Sequence, residues 1–202
     1  MAIIPMSYSA NTIIREYRKI GETSIKERGV DILLHNDGDQ AVAIYAEPED
    51  IDGQLRHIVL SQVDMKTRRS TDENETIMAV IDYYESQLVS GEPVQVEGVT
   101  TLKHQRGASL ATSLYEAIVK QGIILVSDNV QFPGGKALWQ RIARYSRDVA
   151  VFVLDPQARA FWPYDGDRVK YDGLSIPEDQ IWSLAPDESR KGVVLVAEQP
   201  SR

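Results

Sequence analysis

A short run of small residues joins a predicted strand to a predicted helix and has the features of an anion-binding site. It reads Gln105-Arg106-Gly107-Ala108-Ser109-Leu110-Ala111. The first N–H groups of a helix have no intrahelical acceptor, and the helix dipole adds positive charge at that end. Small side chains also let a bulky anion approach the backbone, so the run could hold a pyrophosphate. The alternative is an ordinary tight connection between a strand and a helix, and spacing alone does not decide between them.

Two common nucleotide-binding patterns are absent from the sequence. Gly134-Gly135-Lys136 lacks the rest of the P-loop pattern G-x-x-x-x-G-K-[ST], and no G-x-G-x-x-G occurs. The anion site predicted at residues 106–111 is therefore of neither type.

A second polar position, Ser127-Asp128, follows the short apolar run at residues 123–126. The carboxyl end of a central strand is where α/β sheets usually place ligands, so this pair is a candidate for substrate or cofactor binding. In the alternative interpretation, Asp128 only caps the loop that leads to the next helix.

Alternating strands and helices must position these residues. Apolar periodicity predicts a hairpin around Asn36-Asp37-Gly38-Asp39, a strand at 55–63 and a helix at about 74–89. Further strands are predicted at 93–102, 123–126, 149–154 and 193–196, and helices start near Leu110 and Pro133. A strand at 1–5 and a helix after Ser9 are predicted near the start of the sequence. Such alternation predicts an α/β fold with at least one parallel strand pair.

The run Arg106-Gly107-Ala108-Ser109-Leu110-Ala111, with Leu114 and Tyr115 one turn later, resembles the acetyl-CoA motif of the GNAT N-acetyltransferase superfamily. That motif reads Gln/Arg-x-x-Gly-x-Gly/Ala, and Ser109 stands where glycine is usual. The resemblance covers residues 93–154 best. Ser127-Asp128, Gln131, Gly134-Gly135 and Leu138-Trp139 look similar to GNAT-type proteins encoded by bacteriophages.

The resemblance implies where acetyl-CoA would bind. The diphosphate would rest on the backbone N–H groups of Gly107, Ala108, Ser109, Leu110 and Ala111, with Arg106 assisting. Val99, Thr101 and Leu102 would offer strand backbone to the pantetheine arm, in the gap between the family's fourth and fifth strands.

The family's usual general acid does not transfer to this chain. Many members carry a tyrosine on the helix after the fifth strand, and the alignment places Trp139 there. An indole N–H donates hydrogen bonds but releases no proton at neutral pH.

An attacking amine must also lose a proton, so a base is needed. The candidates are Glu97 on the predicted cofactor strand, Glu92 just before it, and His104 beside the turn. The alternatives are acidic residues on an exposed strand face and a histidine in a surface turn.

Composition limits the partners. The 202 residues contain 30 acidic and 22 basic side chains, a formal net charge of −8, and the basic cluster Lys66-Thr67-Arg68-Arg69 is followed at once by acidic residues. This balance predicts no nucleic-acid binding. No apolar run reaches the ~20 residues of a membrane helix, and we expect no membrane association. With no cysteine, and with His35 and His57 isolated, we predict no metal site and a cytoplasmic protein.

We therefore predict a single α/β domain with a mixed central sheet of the GNAT acyl-CoA N-acyltransferase type. It carries an extra helix before the cofactor strand and a C-terminal appendage, with a core at 1–154 and an extension at 155–202. The predicted function is acetyl transfer from acetyl-CoA to an amine, on a small molecule or a protein. The alternative is a GNAT-fold structural or interaction protein without catalysis, as in a bacteriophage virion. Further candidate partners are a second copy of the chain, in a homo-oligomer, and a virion assembly.

Overall fold

The computed structural model describes residues 23–27, 30–36, 40–51, 54–67, 75–87, 91–101, 103, 106–128, 133–182 and 193–200. The strand predicted at 1–5 and the helix predicted after Ser9 lie outside these ranges. The described strands are β1 Thr23–Glu27, β2 Val30–Asn36, β3 Gln40–Ile51, β4 Gln54–Lys66, β5 Glu92–Thr101, β6 Ile123–Val126, β7 Ala150–Asp155, β8 Ala160–Phe161 and β9 Val194–Glu198. The described helices are α1 Glu75–Ser86, α2 Leu110–Lys120, α3 Pro133–Tyr145 and α4 Glu178–Ile181.

All nine described strands belong to one mixed sheet, in the order β1-β2-β3-β4-β5-β6-β9-β7-β8. Strands β1 to β5 form an antiparallel meander, and β5 and β6 run parallel. A helix, α2, connects this parallel pair, as a crossover requires. The predicted α/β class and the parallel pair are confirmed.

Alternating side chains give the sheet two apolar faces. In β6, Leu125 points to the face covered by α2 and α3, whereas Ile124 and Val126 point to the face covered by α1. Strands β7 and β9 alternate in the same way. Continuous apolar runs such as Ile-Ile-Leu-Val are typical of strands that are buried on both faces. Within the described ranges, no helix combines the length and apolar character needed to cross a bilayer.

The C-terminal strand is an internal part of this sheet. β9 lies between β6 and β7 and is antiparallel to both. Leu195, Val196 and Ala197 are fully buried. The predicted boundary at residue 154 therefore does not separate a core from an appendage, because residues 194–198 join the two sides of the sheet.

The aromatic residues after β7 mostly cover the sheet rather than form an exposed surface. Phe161, Tyr171 and Trp182 are buried, and Trp162 packs against the core on the α2 side. Tyr164 is exposed. Tyr145, at the end of α3, is also exposed, and its ring stacks against Arg144.

The loop at residues 171–176 is fixed against α3 through a close backbone approach at Gly173. Its φ is +83°, and a methyl group at this position would lie 2.5 Å from the carbonyl oxygen of Gln140. We expect Gly173→Ala to lower the free energy of unfolding by about 2–4 kcal/mol, combining left-handed strain with overpacking.

Gly122→Ala is the matched control in a urea unfolding experiment. Gly122 has the same φ of +83°, but a methyl group there would meet no atom within 4 Å. Only the conformational cost of about 1 kcal/mol should remain. Equal losses in the two variants would contradict the packing described for Gly173.

Candidate functional site

The parallel strands β5 and β6 are paired over only part of their length. Glu92 to Gln95 pair with Ile123 to Val126, and β5 then continues to Thr101 along β4 alone. After β6 the chain stays with β9, because the backbone N–H of Ser127 donates to the carbonyl oxygen of Leu195 at 2.8 Å. The two strands thus separate beyond Gln95, at the end of the sheet where α2 begins.

The turn before α2 is open to solvent. Arg106, Gly107 and Ala108 are exposed, and Gly107 has a φ of +96°. A methyl group built on Gly107 would meet no atom within 4 Å. Within the described part of the chain, the direction in which a side chain at residue 107 would point is therefore open.

Ser109 occupies the N-cap position of α2 in an unusual conformation. Its φ and ψ are 63° and 19°, in the left-handed region that glycine adopts more readily than serine. Its carbonyl oxygen accepts the backbone N–H of Ser113 at 3.0 Å, but its hydroxyl makes no capping bond to the helix. The first N–H groups of α2 therefore have no cap from Ser109.

The hydroxyl of Ser109 instead accepts a hydrogen bond of 2.7 Å from Nη2 of Arg141, on α3. A guanidinium beside the positive end of a helix is electrostatically unfavourable unless an anion lies between them. Arg141 was not among the predicted site residues. It lies 32 residues from Ser109 in the sequence, and no local pattern indicates that the two meet.

Arg106 and Thr101 fix the end of β5. The Nε of Arg106 donates to the carbonyl oxygen of Thr101 at 3.4 Å, and the hydroxyls of Thr101 and Ser61 lie 2.8 Å apart. This hydrogen bond places the guanidinium group of Arg106 beside the open turn.

The other predicted cofactor-binding residues differ in exposure. Val99 is half-buried and packs against the core below α2. Leu110 is buried, so it could contribute only its backbone, and Ala111 is half-buried. Leu102 and His104 lie outside the described residues.

Ser127 is held inside the sheet. It is 1% exposed, and its hydroxyl accepts the backbone N–H of Leu195 at 2.9 Å. The side chain thereby extends the pairing of β6 with β9. Asp128, two residues after β6 ends, is half-buried.

The two predicted bases lie at different positions along β5, Glu92 at its start and Glu97 near its middle. Glu92 pairs with Ile123 at the start of the strand, and its side chain is not among those that the structure describes. Glu97 is the extra residue of a bulge, since Asp64 pairs with Gly98 and Met65 pairs with Val96. Its carboxylate is exposed and forms a 3.1 Å ion pair with Lys66.

A carboxylate that the sequence analysis did not single out, Asp64, lies beside this bulge. Burial is the main cause that raises the pKa of Asp64, and the charge of Glu97 raises it further. A hydrogen bond from Gln62 acts in the opposite direction. Asp64 lies one residue past the strand predicted at 55–63, and no sequence pattern at this position indicated a partly buried carboxylate.

Trp139 is part of the core. It is 1% exposed, and its ring packs edge-on against Tyr115 with centroids 5.3 Å apart. Burial raises the pKa of the Tyr115 phenol. Neither side chain is placed to protonate a leaving thiolate.

Among the residues that the structure describes, no three histidine or carboxylate side chains come together as a metal site would require. No protein-family model matches this chain, and no curated protein is found as a relative.

Proposed function

We propose that this protein is an acyl-CoA-dependent N-acyltransferase that moves an acetyl group from acetyl-CoA to an amine. The observation that carries the proposal is the open turn at Gly107, which lies where β5 and β6 separate. Such a turn suits the diphosphate of acetyl-CoA, and such a gap suits its extended pantetheine arm.

The turn offers three kinds of contact to a diphosphate. The first N–H groups of α2 supply hydrogen bonds and the helix dipole supplies positive charge. Arg106 and Arg141 would add guanidinium groups from two sides.

Beyond Gln95, β5 has backbone groups on its β6 side that pair with no residue of β6, and these would bind the amides of a pantetheine arm.

The proposed reaction needs proximity and one base. An amine nitrogen attacks the thioester carbonyl carbon, the C–N bond forms, and the C–S bond breaks. Holding both reactants in the gap supplies much of the rate enhancement of such a transfer.

One observation favours a second function, a GNAT-type protein that serves as a structural or interaction protein, for example in a bacteriophage virion. Trp139 stands where the resemblance expects a tyrosine acid, and it is buried against Tyr115. In that case the residues of the site would no longer have been selected for catalysis, whereas the fold would have been retained.

A thiol-release assay with acetyl-CoA and a panel of primary amines separates the two functions. Transfer to at least one amine, verified by the mass of the acetylated product, is the result expected of the enzyme. Binding of acetyl-CoA without transfer to any amine would favour the second function.

Arg141→Gln tests whether the α3 guanidinium contributes to the anion site. We expect its dissociation constant for acetyl-CoA to rise about 10-fold, because a charge-assisted hydrogen bond is worth about 1.5–3 kcal/mol. Arg147→Gln, which removes an exposed arginine just beyond α3, is the control and should leave affinity unchanged. Equal affinities in both variants, by calorimetry, would remove Arg141 from the site.

A further inference from the structure

A half-buried carboxylate lies beside the part of β5 that is not paired with β6. Asp64 pairs with Gly98 across the two strands, and its Oδ2 is 3.9 Å from the position that a Cβ of Gly98 would take. Val63 and Met65 point into the core beneath α2, so Asp64 faces the opposite side of the sheet. Because residue 98 is glycine, the strand itself does not cover the carboxylate.

Gln62 holds Asp64 in place from the same strand. Its Nε2 donates to Oδ1 of Asp64 at 2.5 Å. The Oε1 of the same amide is buried and has no hydrogen-bond partner among the described residues. A buried acceptor without a donor is uncommon in proteins. Within the described part of the chain, Gln62 binds Oδ1 alone, which leaves Oδ2 of Asp64 to accept a hydrogen bond from an approaching N–H group.

Among the described residues at this bulge, Asp64 is the carboxylate without an ion-pair partner. Glu97 is paired with Lys66 at 3.1 Å, and both side chains are substantially exposed. Among the described residues, Asp64 has no cation within salt-bridge distance, and Gln62 is its hydrogen-bond partner. A carboxylate in this position attracts a cationic ligand and can accept its proton.

We propose that Asp64 takes the proton from the ammonium group of the acyl acceptor, which makes the acceptor a cationic alkylamine. This inference rests on the acyl transfer proposed above. The turn at Gly107 and the gap beside β5 keep the roles proposed above. Asp64 adds a base that was not among the predicted candidates.

The proton balance of the transfer is complete without another reactant. Asp64 accepts one proton from the ammonium and later passes it to water. The free amine pair then attacks the thioester carbon, and the C–S electron pair leaves with the sulfur. The second proton that the nitrogen loses ends on the thiolate, so the products are an amide, a thiol and one proton.

The environment of Asp64 suits this role. Burial and the nearby charge of Glu97 both raise its pKa, although the Gln62 hydrogen bond lowers it. Lys66 is the other charged side chain described at this bulge. A carboxylate with a raised pKa is a better proton acceptor near neutral pH than an exposed one.

Asp64→Asn in the 202-residue chain is the central test. We expect kcat/KM to fall by at least about 100-fold, as for loss of a general base. The acidic limb of the pH profile, which is the decline of kcat/KM towards low pH, should disappear. The affinity for acetyl-CoA should stay within twofold of wild type. Asp148→Asn, which removes an exposed carboxylate paired with Lys120, is the matched control and should retain both rate and limb.

Glu97→Gln discriminates between the two carboxylates at the bulge. If Asp64 is the base, removing the neighbouring charge should move the acidic limb to lower pH without abolishing it. Loss of the limb in Glu97→Gln together with a normal profile in Asp64→Asn would overturn the proposal in favour of Glu97.

A titration of the free protein tests Asp64 independently of activity. The carboxyl carbon of Asp64, followed by NMR, should titrate above the ordinary value of 3.8. A midpoint at or below 3.8 would overturn the assignment. If instead wild type fails to bind acetyl-CoA, the proposed function fails as a whole. If wild type transfers acetyl groups and Asp64→Asn does so equally well, the role of Asp64 alone is refuted.

Discussion

Gly107→Glu is expected to abolish detectable binding of acetyl-CoA, raising the dissociation constant by at least about 100-fold. The new carboxylate would project into the open space in front of the turn, where a diphosphate would rest. Like charges brought together at an interface cost several kcal/mol, and about 2.7 kcal/mol corresponds to 100-fold in affinity. Isothermal calorimetry on the purified variant measures the effect directly.

Gly166→Glu is the matched control for this experiment. Gly166 also has a positive φ, +102°, and a methyl group there would meet no atom within 4 Å. It therefore carries the same backbone strain and the same added charge, in the loop after β8. We expect Gly166→Glu to bind acetyl-CoA with wild-type affinity and Gly107→Glu to show no detectable binding. Unchanged affinity in Gly107→Glu would place the nucleotide elsewhere.

Leu195→Ala should lower the free energy of unfolding by about 2–5 kcal/mol, as expected for truncation of a fully buried leucine. Leu195 lies in β9, and its backbone N–H and C=O groups both bond to Ser127. Its side chain fills the core beneath α2 and α3. Urea unfolding followed by circular dichroism gives the magnitude.

Leu174→Ala provides the comparison, because this leucine is 65% exposed in the loop that precedes α4. We expect a change within about 0.5 kcal/mol, as for most surface substitutions. If the two variants lost equal stability, Leu195 would not occupy the buried position in an internal strand that the structure shows.

Local patterns predicted most of the elements that support the site. The two hairpin strands β2 and β3, the helix α1 and the sequence from β5 to β7 all follow from apolar periodicity and from glycine or proline at their ends. The turn at Gly107 was predictable for the same reason, since small residues between a strand and a helix form a local signal.

The position of β9 was not predictable from such patterns. Its apolar run reads as a strand, but nothing in five residues specifies which neighbours it pairs with. Insertion between β6 and β7 joins segments about 70 residues apart, as the bond from Leu195 to Ser127 shows with a separation of 68. The prediction of an appendage failed because it treated sequence order as spatial order.

The same limit applies to the site. Arg141 reaches Ser109 only because α3 packs beside α2, and Asp64 meets Gly98 only because β4 pairs with β5 through a bulge. Sequence reasoning selected Glu97 from the strand that carries the predicted cofactor contacts. It could not identify a carboxylate on the neighbouring strand, because burial and cross-strand register are properties of the folded sheet.

Backbone amide NMR during a titration with acetyl-CoA shows whether the turn at Gly107 binds the nucleotide. We expect saturable shifts that are largest at the N–H groups of residues 107–111 and along the outer half of β5. Spectra unchanged at millimolar acetyl-CoA, or shifts confined to another part of the chain, would contradict it.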